Sequence, residues 1–148
     1  MALSELQVGE FLAALGERTP APASGAATAL TAALAAALVE LAARFADDEA
    51  TVARAKTLWS RLSELADEDS AAYIAFMAGR NDQTRARIIA VPTEIAAHAD
   101  EIAELAEHVR AQLKSSVVGD AEAAAELARA AARVARRLAE LNLAPELN

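Results

Sequence analysis

Apolar residues recur at helical spacing along nearly the whole chain, and they mark out five stretches. Leu6, Phe11, Leu12 and Leu15 share one side of a first amphipathic helix over Leu3 to Leu15, with Ser4 as its cap and Gly16 as its stop. A second helix, about Ala26 to Ala46, carries Leu30, Leu34, Leu38, Leu41 and Phe45 along one seam. Alanine and threonine cover its other faces, which predicts a central helix approached from all sides. The third begins near Asp48, where Asp47, Asp48 and Glu49 place negative charge at the positive end of the helix dipole. Its buried face is read as Val52, Leu58, Trp59, Leu62, Leu65, Tyr73 and Phe76, and Gly79 ends it. The fourth starts at Asp82 or Thr84 and repeats Ile88, Ile95, Ile102 and Val109 every seven residues, with Pro92 as a kink or a restart. Asp120 is the expected N-cap of the fifth, which carries Leu127, Val134, Leu138 and Leu141 and stops before Pro145. Short connections between long helices predict antiparallel neighbours. The fold class is therefore all-α, an up-and-down bundle of about five helices forming a single domain over residues 1–148.

Composition sharpens this picture. Alanine makes up roughly 30% of the chain, far above its share in ordinary soluble domains. So much of the best helix former, with so small a side chain, predicts helices whose backbones pack closely. The absence of cysteine excludes a disulfide scaffold and a thiolate metal cage. With 22 acidic and 14 basic residues, a net charge of −8 weighs against a nucleic-acid partner. It suits a cytoplasmic protein, and the N-terminus lacks the basic and apolar regions of a secretory signal. Thr19 to Val39 is uncharged, but Pro20, Pro22, Ser24 and Gly25 interrupt it, so it reads as loop and buried helix and no membrane partner is expected.

Chemistry has few places to sit. Nucleophile-elbow, phosphate-loop, zinc-protease and dinucleotide signatures are all missing. Glu94 to His98 and Glu104 to His108 are each spaced four apart on one helix, whereas a di-metal bundle needs Glu-x-x-His on each of two; no metal site is expected. His98 falls on the isoleucine seam, with Glu94 or Asp69 as candidate partners and a structural role favoured; His108 falls on a solvated stripe. The clearest loop is TPAPASG, Thr19 to Gly25, opening directly onto a helix. The segment ADED, Ala66 to Asp69, puts two aspartates inside the third helix, where aspartate is a poor resident. Asp69 follows Leu58, Leu62 and Leu65 onto the buried side while Asp67 points away. Two readings of Asp69 stay open: an ordinary ion pair with Arg44 or Arg87, or a carboxylate lining a pocket and moving a proton.

Four segments in order resemble the cyclodeaminase/cyclohydrolase family, the helical domain of formimidoyltransferase-cyclodeaminases and of stand-alone methenyltetrahydrofolate cyclohydrolases. FLAALGERTPAPASGAATALTAALAAALVELAA is similar to its FL helix, T-P-x-P-G-G-G-S loop and Ala-rich helix. LADEDSAAYIAFMAG resembles its L-x-D-x-D-x-x-A-F segment, and VPTEIA its V-P-L-E-I-A. GDAEAAAELARAAARVARRLAELNL resembles its S-D-A helix ending in N-x-x-x-N-L. The resemblance implies a helical homodimer acting on the one-carbon unit of a tetrahydrofolate substrate, as a formimidoyltetrahydrofolate cyclodeaminase or a methenyltetrahydrofolate cyclohydrolase, with no separate cofactor. It also implies Asp69 and Asp67 as the catalytic acidic pair. The substrate loop falls on Pro22, Ala23, Ser24, Gly25 and Ala26, and further binding residues on Asp120 and Asn142. Ala23, Ser24 and Gly25 stand where the family has three glycines, and ARFADDEA replaces a segment that carries two lysines. These departures leave a second expectation, a dimeric bundle that binds a ligand or serves a structural role without turnover.

Overall fold

The computed structural model describes residues 1–114 and 116–144. A 3₁₀ turn, Leu3–Glu5, precedes helices α1 (Val8–Gly16), α2 (Ser24–Phe45), α3 (Glu49–Ala78), α4 (Asp82–Arg110) and α5 (Val118–Leu143). The single first helix expected from Leu3 is divided, because the Gln7 N–H donates to the Glu10 carboxylate at 3.0 Å and a new helix starts there. Asp48 caps α3, accepting the Thr51 N–H at 3.1 Å and the Thr51 hydroxyl at 2.7 Å. Just before it, Asp47 takes the left-handed conformation (φ 55°) and Asp48 N–H returns to the Ala43 carbonyl at 2.9 Å, a Schellman ending for α2. Asn81 caps α4 through the Thr84 N–H at 2.9 Å. Asp120 does not cap α5: its N–H already bonds the Val117 carbonyl at 3.1 Å, so the chain winds in earlier and Asp120 lies in the first turn. α5 ends at Leu143 with Ala144 as its C-cap, before Pro145 as expected.

Cross-helix pairs give the directions. Arg54 meets Glu101 and Arg61 meets Glu94, so α3 and α4 run oppositely; Arg110 with Glu122, Arg129 with Glu107 and Arg136 with Asp100 do the same for α4 and α5. Such surface pairs add little stability individually but fix register. α2 packs on α3, α4 and α5 at the centre. Its core face is alanine, from Ala26 through Ala29, Ala32, Ala35 and Ala36 to Ala42 and Ala43, with Val39. α5 buries a matching row from Ala121 to Ala135. Side chains this small let helix axes approach closely.

The leucine seams are therefore split: Leu30 and Leu38 pack against the edge of the core, while other members face outward. Leu34 is 64% and Phe45 63% exposed, and on α5 Leu127, Val134 and Leu141 are exposed too. Periodicity marks an apolar face without saying which neighbour covers it; here alanine wins the core because it lets three helices gather round α2. The isoleucine repeat of α4 is core as expected: Ile88, Ile95, Ile102 and Val109 are all buried. Trp59, expected inside, is 37% exposed and gives its indole N–H to Glu40 at 2.9 Å. α1 buries none of its residues. It lies beside α2 across an apolar groove of about 630 Å³, lined among others by Phe11, Leu15, Leu30, Leu34 and Trp59. By length and composition α2 could cross a membrane, yet half of its most apolar window is buried inside the bundle.

Candidate active site

Four segments converge on a second, more polar cleft of about 290 Å³. The loop through Thr19, Pro20 and Ala21 forms one wall and continues through Ala23 into Ser24 and Gly25 at the start of α2. The other three walls are pairs one helical turn apart: Asp69 and Tyr73 on α3, Ile88 and Pro92 on α4, Leu138 and Asn142 on α5. The cleft is held together across elements, since the Asn142 side-chain nitrogen donates to the Ile88 carbonyl at 2.6 Å and Arg85 donates to the Asn142 carbonyl at 3.0 Å.

Asp69 is the only ionisable carboxylate among those lining residues. Burial pushes its carboxyl up to about 6. No hydrogen bond or ion pair among the described residues stabilises its charged form. Neither arginine considered from the sequence reaches it: Arg44 pairs with Glu40 at 2.7 Å on its own helix, so the ion-pair reading of Asp69 fails there. The carboxylate also explains one glycine. A Cβ at Gly25 would overlap the carboxyl carbon and both oxygens of Asp69, so the first turn of α2 has to be bare at this position.

Against the chain's sequence, the profile of the formiminotransferase-cyclodeaminase family matches residues 7–145. The chain belongs to that family. A crystal structure of formiminotetrahydrofolate cyclodeaminase from Thermotoga maritima superposes with a TM-score of 0.90 at 23% identity, covering 95% of this chain and 80% of that one, which establishes the cyclodeaminase-type fold. A comparison with curated protein sequences finds no match.

Of the positions that the family resemblance singles out, Ala23, Ser24, Gly25, Asp69 and Asn142 come together at the cleft. Gly25 is the one member of the glycine triplet that Asp69 requires, and it is the one this chain keeps. Pro22, Ala26, Asp67 and Asp120 are not among the lining residues. Pro22 follows a cis peptide bond in the loop, and Ala26 is fully buried in the core. Asp67 accepts the Leu3 N–H at 3.0 Å and ties the N-terminal turn to α3. Asp120 lies about 33 Å from Asn142 along α5, at 1.5 Å per residue, so one chain cannot bring both to one cleft. His98 pairs with Glu94 at 3.2 Å rather than with Asp69, and Glu94 is itself held by Arg61 at 2.8 Å. His108 meets Asp48 at 3.2 Å on the surface. Among the described residues no group of acidic and histidine side chains is arranged to hold a metal.

Sequence reasoning did not assign Tyr73, Ile88, Pro92 or Leu138 to a site. Tyr73 stands one turn from Asp69, Ile88 one turn from Pro92, and Leu138 one turn from Asn142. Extending Asp69 and Asn142 by one turn would have found Tyr73 and Leu138, whereas the α4 pair neighbours no residue assigned to the site from the sequence.

Proposed function

We propose that this family member carries out folate one-carbon chemistry, as a formimidoyltetrahydrofolate cyclodeaminase or a methenyltetrahydrofolate cyclohydrolase, with Asp69 as the carboxylate that moves the proton. The observation that carries this reading is a cleft carboxylate without an ion-pair partner among the described residues, its carboxyl pushed by burial up to about 6. A group near neutrality both takes and returns a proton at useful rates. In ring closure, N10 attacks the amidinium carbon at N5, and one proton must pass from N10 to the amino group that leaves as ammonia. Asp69 is suited to take it from the first nitrogen and deliver it to the second. In the opening direction water adds to the methenyl carbon, and the same carboxylate takes the proton that water loses. At about 290 Å³ the cleft is at the small end of ligand sites, so it would hold the reacting end of the folate and leave the rest outside.

The assembly we propose is a homodimer. Its support is the uncovered seam of Leu34, Leu41 and Phe45 and the groove beneath α1, an apolar surface that a second copy would bury. Light scattering at micromolar concentration should give twice the chain mass, and a monomer would contradict it. Methenyltetrahydrofolate absorbance tests the reaction: purified protein should speed its loss above the spontaneous rate. The absence of both a catalysed rate and folate binding would overturn the reading. The lack of any lysine or arginine among the residues lining the cleft favours one second reading, a binder without turnover, and folate binding at the spontaneous rate would establish it.

A further inference from the structure

The wall built by α4 and α5 departs from regular helix chemistry at one bond. Pro92 lies inside α4. Having no N–H, it cannot serve the carbonyl of Ile88 four residues earlier, which the helical ladder would otherwise bond. That carbonyl is taken from outside the helix, by the Asn142 side-chain nitrogen at 2.6 Å. A carbonyl can only accept, so the two ends of the Asn142 amide are fixed by chemistry: nitrogen toward Ile88, oxygen left over. Asn142 Oδ1 then takes no donor among the described residues, on a residue that lines the same cleft as Asp69. The backbone of Asn142 rests on α4 as well, through Arg85 at 3.0 Å. The end of α5 is thus docked on the stretch of α4 that proline has altered.

We infer that Pro92 is a positioning residue: by leaving the Ile88 carbonyl without its helical donor, it pins the Asn142 amide nitrogen and leaves Oδ1 as a second acceptor in the Asp69 cleft. This rests on the reading of that cleft as the substrate site. Two acceptors with no lysine or arginine lining the space suit a small planar cation carrying N–H donors at both ends, an amidinium. A neutral amide of the same shape offers donors at one end only and brings no charge to Asp69.

Formamidinium and formamide form such a matched pair, and both can be titrated at pH 7.5 into isotopically labelled protein while the Asn142 side-chain amide and the Gly25 N–H are followed by NMR. Formamidinium should bind at least about tenfold more tightly than formamide, the scale of one hydrogen bond to a charged group. Pro92→Ala returns an N–H to position 92. It should keep or raise the melting temperature, move the Asn142 amide resonances and weaken formamidinium about tenfold. In an Asn142→Ala background the same change should alter affinity less than twofold. If the alanine leaves too large a void to fold, Pro92→Val restores the same N–H with nearly the volume of proline. Equal affinity in Pro92→Ala and the parent, an equal loss with and without Asn142, or equal binding of the two small molecules would each overturn the inference. Folate turnover is not the readout, so a protein without turnover bears on the proposed reaction and not on Pro92.

Discussion

Asp67 and Asp69 leave α3 two residues apart, and the helix turns them about 200° from each other. Asp67 meets the N-terminal turn, where one oxygen accepts the Leu3 N–H at 3.0 Å. Asp69 meets the bare backbone of Gly25 and the wall of a cleft, without a partner for its charge among the described residues. The same side chain is a fastener in one place and, in the proposed function, the proton-exchanging group in the other. Two aspartates in one motif are therefore not one functional unit, and the difference lies in what the rest of the fold brings to each.

The largest effect expected from breaking this contrast is on turnover. Asp69→Asn should lower kcat by about 10³-fold, within the range for losing a general acid or base. The protein should remain folded and be at least as stable as the parent at pH 7.5, because an unpaired buried charge has been removed. Asp69→Asn made less stable than the parent at that pH would mean a hidden partner for the charge.

Gly25→Ala attacks the same carboxylate from the opposite helix. The new methyl group must displace Asp69, so turnover should fall by about 10²-fold and stability by about 1–3 kcal/mol, the usual cost of overpacking. In an Asp69→Ala background the stability loss should largely vanish, since the clash is with that one side chain. Thermal melts of the four proteins make the comparison.

Stability against pH offers a smaller, signed test. Asp69 holds its proton more tightly folded than unfolded, with 3.8 raised to about 6, so its contribution is full below 3.8 and is lost as pH rises through about 6. Asp48 runs the other way. The Thr51 hydroxyl and N–H lower it from 3.8 to about 2, so its contribution is present above 3.8 and lost as pH falls through about 2. Denaturant titrations between pH 4 and 6 should show a slope that Asp69→Asn flattens and Asp48→Asn leaves in place.

The smallest effect is expected at Asp67. Replacing it with alanine removes one partly buried hydrogen bond, about 1 kcal/mol, and should leave turnover unchanged. A loss of activity comparable to that of Asp69→Asn would erase the distinction between the two.

Much of this contrast is legible from spacing alone. The run Leu58, Leu62, Leu65 carries Asp69 inward and Asp67 away from it, and in the structure Asp69 lines the cleft while Asp67 meets the N-terminal turn. Helix starts follow in the same way at Asp48, whose side chain makes the first bond, and at Asp82, though the cap supplied there by Asn81 was not expected. Asp120 misleads because the backbone had already begun to wind at Val117. The leucine seams of α2 and α5 mislead for a deeper reason: an apolar stripe reports a buried partner without saying whether it belongs to the same chain, and alanine reports nothing by hydrophobicity while deciding which faces approach. The α4 wall was out of reach because Ile88 and Pro92 carry no chemistry by themselves, and only the antiparallel register brings them to Asp69.

The central claim is that Asp69 exchanges the proton, and the pH dependence of methenyltetrahydrofolate opening, corrected for the spontaneous rate, tests it most directly. The catalysed rate should rise as pH passes upward through about 6, as the carboxylate becomes free to take a proton from water, and Asp69→Asn should remove both the rate and that limb. A catalysed rate that keeps the same pH limb in Asp69→Asn would contradict the account.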